Sequence, residues 1–269
     1  MVLRRLELAL GQVARWWLVH APTARGRSFI MRAVFPRLCP EAADFTVAAP
    51  GGGRIRARLT ESTGWELLHG RDVERAEIDW AVEQVQPGDT VVDAGANVGL
   101  FSVPIGLAVG HTGRVMAFEP VAETALRLRN SLTLNGLANV DVHEAAVGEA
   151  EGNVEVRIAQ DSAYSGLGED DRSPTVTRRS IPMVTIDDEW SRLGKPRVTL
   201  MKVDVEGAEV RALCGAQELI EACRPAILAE AAGEREYAAL AGWLEERRYR
   251  VVTPPAFRPY NHVFEFHDG

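Results

Sequence analysis

Residues 91–101 read VVDAGANVGLF, and this stretch decides the fold of the 269-residue chain. An apolar strand runs into a turn of small residues and then into a helix. Gly95 lets the backbone bend and lets a ligand approach closely, and Gly99 lets the start of the helix pack tightly on the sheet. The unpaired amides at a helix start favour polar or anionic ligand groups. The stretch therefore predicts a ligand-binding turn at the end of a buried strand.

The rest of the chain repeats the alternation of strand and helix that begins at this turn. Apolar runs predict strands at residues 90–94, 114–118, 140–143, 154–158, 181–185, 198–203, 226–229, 250–252 and 263–266. Helical patterns predict helices at residues 71–86, 98–109, 121–134, 208–222 and 237–247. Residues 159–180 are polar and lack an apolar period, which predicts a long loop. Strands separated by helices predict a doubly wound, Rossmann-like α/β fold with helices on both faces of a parallel sheet.

Residues 1–69 precede this alternation and form a predicted N-terminal extension to a main domain at residues 70–269. Apolar residues recur at spacings of three or four over residues 1–40, which predicts helix there. This helical part could simply pack on the main domain, or it could act as a lid, form a homodimer contact or face lipid. Residues 44–60 predict a hairpin, because the turn signal Pro50-Gly51-Gly52-Gly53 separates two short strands.

Composition narrows the class of protein. The net charge of −8 argues against a nucleic-acid partner, because such binding needs a basic surface. The cysteines, Cys39, Cys214 and Cys223, are odd in number and lack zinc-like spacing, so free thiols in a reducing compartment are expected. Charged residues interrupt the N-terminal apolar run, and no stretch is long and apolar enough to span a bilayer. The sequence therefore predicts a cytoplasmic location.

An acidic residue follows the glycine turn at the distance that nucleoside binding requires. Glu119 comes twenty residues after Gly99, at the end of the next predicted strand, where a carboxylate accepts hydrogen bonds from ribose hydroxyls. The glycines are spaced G-x-x-x-G and not G-x-G-x-x-G, and Asp93 would repel a pyrophosphate. A carboxylate there suits a ligand with an ammonium and a sulfonium, as in S-adenosylmethionine. A nicotinamide-dependent dehydrogenase is the rival interpretation.

Further carboxylates lie at other strand ends. Glu144 follows the third strand and is expected to accept a hydrogen bond from the adenine amino group. Asp204 and Glu206 follow the strand at residues 198–203, and Glu230 ends the next one. In a doubly wound sheet these strand ends open into one crevice, and carboxylates so close together repel one another unless something uses them.

The chain resembles the FkbM family of methyltransferases. The resemblance rests on Gly70 with Glu74, PGD at 87–89, VVDAGANVGLFS, AFEP, Asn135-Gly136, KVDVEGAE at 202–209, PAILAE and Asn261, spread over residues 65–266. It implies a class I methyltransferase fold with a seven-stranded sheet whose last strand is antiparallel. It also implies O-methylation, usually of sugars or natural-product alcohols. The chain departs from the family pattern at Glu144, where an asparagine is frequent, and at Ala231-Ala232, where a histidine is often near.

These observations assign the site residues. We expect cofactor contacts from Glu74, Asp93, Gly95, Ala96, Asn97, Gly99, Phe101, Glu119, Pro120, Glu144, Ala145 and Asp204. Asp204 is the predicted general base, and Glu206 and Glu230 are expected to hold substrate hydroxyls or tune that base. Two alternatives stay open for the catalytic groups: a divalent cation held by these three acids, or His262 as base. A non-catalytic binding or scaffold protein of the same fold is the alternative for the whole chain.

Overall fold

The computed structural model describes residues 44–58, 61–68, 73–166 and 173–268 of the chain. The predicted helical segment at residues 1–40, its suggested dimer contact and Cys39 lie outside the described residues. No helix in the described ranges is long and apolar enough to cross a membrane.

The described elements follow one another along the chain as strands and helices. The strands are β1 Asp44–Ala48, β2 Arg54–Arg58, β3 Thr90–Ala94, β4 Arg114–Phe118, β5 Val140–His143, β6 Ala146–Val147, β7 Gly152–Ala159, β8 Thr175–Val184, β9 Val198–Val203, β10 Ala226–Glu230, β11 Tyr249–Val251 and β12 Asn261–Phe266. The helices are α1 Ser62–Leu68, α2 Arg75–Gln84, α3 Ser102–Val109, α4 Ala122–Leu134, α5 Ile186–Arg192, α6 Glu209–Cys214, α7 Gln217–Cys223 and α8 Glu234–Glu245. A 3₁₀ turn covers Ser162–Tyr164.

Seven strands form the central sheet, in the order β11-β12-β10-β9-β3-β4-β5. Strands β10, β9, β3, β4 and β5 are parallel, whereas β12 runs antiparallel to both β10 and β11. The chain leaves β3 toward β4 on one side and returns to β9 on the other, so a topological switch point lies between β3 and β9. The predicted doubly wound sheet with an antiparallel last strand is confirmed.

Alternate residues of the buried strands pack on opposite faces of the sheet, as the two-residue period of a strand requires. Val91 packs with residues of α2, α3 and α4 on one face. Its neighbour Val92 packs with residues of α5, α6, α7 and α8 on the other. All five residues of β3 (TVVDA) are buried. Its sequence therefore does not alternate between apolar and polar residues, as the sequence of a half-exposed strand does.

The predicted hairpin is present as β1 and β2. It packs on α4, where Asn135 Oδ1 accepts from the backbone N–H of Arg54 at 2.9 Å and Ser131 Oγ accepts from that of Arg56 at 2.9 Å. Ile55 points into the same apolar core as α2 and α3 and is fully buried. These bonds join the hairpin to the helices beside the sheet.

The loop prediction for residues 159–180 is wrong in its second part. Thr175–Val184 forms β8, which pairs antiparallel with β7 and parallel with β6. Residues 175–180 are all exposed, so they show no alternation of apolar and polar side chains. Backbone hydrogen bonds to β7 hold this strand, and backbone pairing leaves no pattern in a sequence.

The helix predicted at residues 208–222 is two helices, α6 and α7. The break falls at Gly215, where a Cβ would lie 1.9 Å from the carbonyl oxygen of Gly148. Gly215 also accepts a hydrogen bond from the backbone N–H of Asp187 at 2.9 Å, through its carbonyl oxygen. In place of the helix predicted at residues 71–86, the structure has α2 at Arg75–Gln84. The short helices α1 and α5 were not predicted, because their sequences show no recognisable helical period of apolar residues.

Candidate active site

A cleft opens where β3, β4, β9 and β10 end, beside the switch point of the sheet. Among the described residues it is lined by Ser62, Thr63, Glu66, Val73, Glu74, Gly95, Ala96, Asn97, Leu100, Phe101, Phe118, Glu119, Pro120, Ala145, Ala146, Val147, Val156, Ser162, Ala163, Ser165, Gly166, Lys202, Asp204, Val205, Glu206, Ala208, Glu230, Arg258 and Tyr260. Ligands of doubly wound proteins bind at this kind of position, outside the carboxyl ends of the strands.

The glycine turn forms the floor of the cleft and is held between two strands. Gly95 has a φ of 88°, and a Cβ on it would lie 1.7 Å from the carbonyl oxygen of Asp204. The backbone N–H groups of Gly95 and Ala96 both donate to Phe118 O, at 3.0 and 2.9 Å. Asp204 in turn donates its backbone N–H to Ala94 O at 3.0 Å. Only glycine fits here, because the ends of β3 and β9 meet at this residue.

Glu119 stands at the edge of the turn with its carboxylate held in place. Its Oε2 accepts from the backbone N–H of Asn97 at 3.0 Å, and its Oε1 accepts from that of Val121 at 2.9 Å. A carboxylate has about four acceptor sites, so each oxygen keeps capacity for a ligand hydroxyl. Burial raises the pKa of Glu119 to about 7.

Three lining residues have left-handed backbone conformations that side chains seldom adopt. The φ angles are 48° at Glu74, 48° at Asn97 and 51° at Glu206. Such conformations cost about 1–3 kcal/mol each and concentrate at functional sites. Each of the three places a polar side chain in the wall of the cleft.

The acids at the ends of β9 and β10 come together as the sequence predicts. One oxygen from each of Asp204, Glu206 and Glu230 lies within 4.8 Å of the others. Burial, followed by the charge of Asp204 and a hydrogen bond with it, raises the pKa of Glu230 to about 10. At neutral pH the carboxyl of Glu230 therefore keeps its proton and donates it to a hydrogen bond with the Asp204 carboxylate.

The ammonium of Lys202 partly neutralises the charge of this group of acids. Its Nζ lies 2.9 Å from Asp204 Oδ2 and 3.9 Å from Asp93 Oδ1, and it donates to Gly95 O at 3.4 Å. Burial alone would lower the pKa of Lys202, but the charges of Asp204, Asp93 and Glu74 outweigh it and raise that pKa. The ammonium therefore stays charged.

The same three acids could offer oxygen ligands to a divalent ion. Lys202 already supplies positive charge beside Asp204, and Glu230 holds a proton that a metal ion would have to displace. The expectation that no metal is needed stays a prediction.

Asp93 does not line the cleft, contrary to its prediction as a cofactor contact. It is fully buried, its Oδ2 accepts from Ser102 Oγ at 2.5 Å, and its Oδ1 lies 3.9 Å from the ammonium of Lys202, which does line the cleft. Its charge therefore acts on Lys202 and through it on Asp204.

Gly99 is also outside the lining, because it packs on Leu128 of α4, where a Cβ would lie 2.8 Å from Leu128 Cδ1.

Glu144 does not reach the cleft either. Its side chain is 41% exposed and pairs with Arg129, with 2.5 Å between Oε1 and Nη1. This ion pair on the outer surface turns it away from the expected adenine contact. The alternative base His262 lies against the ring of Tyr237, at 4.5 Å between centroids, and is not part of the lining.

Most of the predicted site residues are brought together in the lining. These are Glu74, Gly95, Ala96, Asn97, Phe101, Glu119, Pro120, Ala145, Asp204, Glu206 and Glu230. Sequence reasoning missed the wall contributed by α1 and the pair Arg258 and Tyr260, whereas the segment Ser162–Gly166 lies in the predicted loop at residues 159–180, which we expected to shape the pocket. The sequence signal that could have pointed to Arg258 and Tyr260 is Asn261, which belongs to the family resemblance and follows Tyr260 directly.

Two further contacts hold the missed wall in place. Glu61 and Arg127 form a buried ion pair, with 2.7 Å between Oε1 and Nη1, at the start of α1. Asp161 Oδ2 accepts from the backbone N–H of Ser62 at 2.7 Å. The second contact joins α1 to the segment at 162–166, so both form one wall over the glycine turn.

The fold and the cleft define the class: a methyltransferase of the doubly wound type with a seven-stranded sheet. The family model described as the methyltransferase FkbM domain matches residues 93–251. The chain therefore belongs to the FkbM methyltransferase family, as its motifs indicate.

Two curated methyltransferases and one solved structure are similar to the chain. Methyltransferase 1 of Beauveria bassiana (strain ARSEF 2860) is 26% identical over 148 residues, covering 48% of this chain and 59% of that protein. Methyltransferase sdnD of Sordaria araneosa is 29% identical over 157 residues, covering 48% and 60%. The chain thus spans about 60% of the length of the curated relatives it matches. The crystal structure of methyltransferase FkbM from Methylobacillus flagellatus KT has a TM-score of 0.50 at 18% identity, covering 97% of this chain and 60% of that one, a likeness of fold.

Proposed function

We propose that the chain transfers the methyl group of S-adenosylmethionine to a hydroxyl oxygen of a small molecule, such as a sugar or another natural product. One observation carries the proposal. The fixed carboxylate of Glu119 and the hydrogen-bonded pair of Asp204 and Glu230 line one cleft above the same glycine turn. A nucleoside held by Glu119 would extend along the turn toward these acids.

The chemistry of the lining supports this cofactor. Glu119 offers acceptors for two ribose hydroxyls, and Phe118, Ala145 and Val147 offer apolar surface for adenine beside it. The far end of the cleft is acidic and suits a ligand with an ammonium and a sulfonium. When bound, S-adenosylmethionine supplies a methyl group on a positively charged sulfur.

The catalytic work of the chain is to align an oxygen with that methyl group and to accept a proton. Asp204 is the proton acceptor, because Lys202 stabilises its ionised form and its strand end opens into the cleft. As the new C–O bond forms, the C–S bond breaks and the sulfur keeps the electron pair. The hydroxyl proton passes to Asp204, and Glu206 is placed to hold a neighbouring hydroxyl.

The acceptor is inferred from the family and from the charge of the chain. Resemblance to the FkbM family favours hydroxylated natural products or sugars, and the net charge of −8 disfavours nucleic acid. A cytoplasmic location remains part of the proposal and rests on the composition. A non-catalytic protein that binds S-adenosylmethionine is the alternative, and turnover separates the two.

The first experiment is calorimetric titration with S-adenosylmethionine, S-adenosylhomocysteine and NAD. Binding of the two sulfur compounds in the micromolar range without binding of NAD supports the proposal. Absence of binding by both sulfur compounds contradicts it.

The second experiment measures transfer of labelled methyl from S-adenosylmethionine to a panel of sugars and hydroxylated natural products. Asp204→Asn should lower turnover by about 10²–10⁴-fold and leave cofactor binding intact. Asp141→Asn is the matched control, because Asp141 is an exposed acid on β5 outside the cleft. Equal turnover by Asp204→Asn and Asp141→Asn would remove Asp204 from its role.

A further inference from the structure

Charge in the cleft is unevenly distributed. The lining contains the acids Glu66, Glu74, Glu119, Asp204, Glu206 and Glu230 and, among the described residues, the bases Lys202 and Arg258. The α-carboxylate of a bound S-adenosylmethionine would be repelled by these acids unless a positive group met it. The lining therefore has to supply a cation for that carboxylate.

Lys202 is poorly placed for this role. Its side chain is 9% exposed, and its ammonium is already shared by Asp204, Asp93 and the carbonyl oxygen of Gly95. Two of its three donors are taken by Asp204 and by Gly95 O, and the charge of Asp93, 3.9 Å away, holds it further. Lys202 thus balances the acids of the sheet and leaves Arg258 to meet a ligand anion.

Arg258 is held by its backbone while its guanidinium borders the cleft. Its N–H donates to Glu77 Oε1 at 2.7 Å, and Glu77 is buried and also accepts from Asn261 Nδ2 at 3.1 Å. The preceding Phe257 packs edge-on against Trp80 of α2, with 6.0 Å between ring centroids. A residue fixed in this way presents its side chain in a defined direction.

The guanidinium of Arg258 keeps donors for a ligand. Nη1 donates to Tyr260 Oη at 2.7 Å, whereas Nη2 forms an ion pair with Glu66 Oε2 at 3.6 Å, which is longer than a hydrogen bond. A guanidinium has five N–H donors in a planar fork that matches a carboxylate. Its side chain is 32% exposed, so a ligand in the cleft can reach it.

Glu74 places an opposite charge beside Arg258. Both residues line the same cleft, together with Lys202 and Asp204, and the charges of Glu74 and Arg258 attract each other. The left-handed backbone at Glu74 sets the direction of its side chain at the start of α2. A carboxylate next to a guanidinium is complementary to an α-amino acid, which carries an ammonium next to a carboxylate.

We propose that Arg258 and Glu74 together bind the amino-acid end of S-adenosylmethionine, with Arg258 on the α-carboxylate and Glu74 on the α-ammonium. This inference rests on the proposed function and adds to it the residue that recognises the carboxylate. Tyr260 acts as a positioning residue, because its hydroxyl holds one edge of the guanidinium.

The test compares ligands that differ only in the amino-acid end. S-Adenosylhomocysteine has both charges, its decarboxylated amine analogue lacks the carboxylate, and 5′-methylthioadenosine lacks both. Arg258→Met should weaken S-adenosylhomocysteine by about 10- to 100-fold, the loss expected for a charge-assisted hydrogen bond. It should leave the decarboxylated analogue and 5′-methylthioadenosine within about twofold of the unaltered protein, because neither ligand has the carboxylate.

Two further variants sharpen the comparison of dissociation constants. Arg258→Lys keeps the charge without the fork and should recover part of the affinity for S-adenosylhomocysteine. Arg250→Met is the matched control, since Arg250 is an exposed arginine on β11 outside the cleft, and it should change none of the constants. Thermal unfolding of each variant checks that the protein remains folded.

The outcomes separate the two proposals. Equal weakening of all three ligands by Arg258→Met would make Arg258 a structural residue and overturn the inference. Unchanged affinity for S-adenosylhomocysteine would overturn it as well and would direct Arg258 toward the acceptor. Failure of the unaltered protein to bind S-adenosylhomocysteine at all would contradict the proposed function itself.

Discussion

The ammonium of Lys202 lies 2.9 Å from Asp204 Oδ2 and 3.9 Å from Asp93 Oδ1, so one cation compensates two carboxylates at the ends of neighbouring strands. Asp93 is fully buried, and Asp204 borders the cleft. The charge state of the catalytic end of the cleft therefore depends on a residue that also stabilises the sheet.

Lys202→Met should lower the free energy of unfolding by roughly 3–5 kcal/mol at neutral pH, because it leaves the charge of Asp93 buried without a partner. Burial already raises the pKa of Asp93, so the loss should shrink as the pH falls and Asp93 takes up a proton. Urea unfolding between pH 5 and pH 8 measures both effects. Lys195→Met, at an exposed ion pair with Glu218, should leave the unfolding curve unchanged.

A second substitution tests the cause of that loss. Asp93→Asn added to Lys202→Met removes the buried charge, so the double variant should be more stable than Lys202→Met alone at pH 8. Equal stability of the single and double variants would show that Lys202 does not act through Asp93.

Glu119→Gln should weaken the binding of S-adenosylhomocysteine by about 10- to 100-fold. The amide cannot accept from the backbone N–H groups of both Asn97 and Val121 and still accept from ribose hydroxyls. Titration calorimetry measures the loss. Glu123→Gln is the control, because Glu123 lies in the first turn of the following helix and pairs with Arg179 on the surface. The same affinity in both variants would contradict the ribose contact.

Binding of S-adenosylhomocysteine at pH 7 should release protons. Burial raises the pKa of Glu74 to about 7, so about half of its carboxyl groups are protonated at that pH. A ligand ammonium beside Glu74 favours the charged form, lowers its pKa and expels the proton. Calorimetry in buffers of different ionisation enthalpy counts the protons released.

Glu74→Gln is the control for this proton count. Any release that remains in this variant belongs to other groups, such as Glu119, whose pKa burial raises to about 7. 5′-Methylthioadenosine, which has no ammonium, should release the same number of protons from both proteins. Identical release of protons by S-adenosylhomocysteine from both proteins would separate Glu74 from the ligand ammonium.

Gly95→Ala should both destabilise the protein and abolish cofactor binding. The left-handed backbone costs about 1–3 kcal/mol for a residue with a Cβ, and that Cβ would lie 1.7 Å from Asp204 O. Gly242→Ala offers a matched contrast in α8, where nothing lies within 4 Å of the added atom. It should raise stability by about 0.4–1 kcal/mol. Thermal unfolding and ligand titration of the two variants check the pair of expectations.

The sequence predicted the fold well where local patterns carry the information. Residues 91–101 show a buried strand, a glycine turn and a helix in order, and most residues of the parallel strands beside them are apolar. Local sequence patterns gave wrong predictions where backbone pairing or a tertiary contact determines the secondary structure. Thr175–Val184 is a strand although its first six residues are exposed, and Gly215 breaks a helix because another backbone passes beside it.

The candidate site divides in the same way. Glu119, Asp204 and Glu230 could be placed in advance, because parallel strands end at one edge and their carboxyl ends open into a common crevice. Glu144 meets the same positional criterion, yet its ion pair with Arg129 turns it outward. A position at a strand end thus identifies candidates but leaves the direction of each side chain open.

By itself, the sequence determined the order of the main strands and helices of the central sheet, the position of the glycine turn and the acids that follow the strands. These features follow from the period of apolar residues, the backbone freedom of glycine and the order of segments, and each can be read from short stretches of sequence. Only the tertiary structure decided that Lys202 lies beside the buried Asp93, that Glu230 donates a hydrogen bond to Asp204, and that Arg258 and Glu74 line the same cleft. These relationships join residues that are distant in the chain, and burial against particular partners sets their charges and directions.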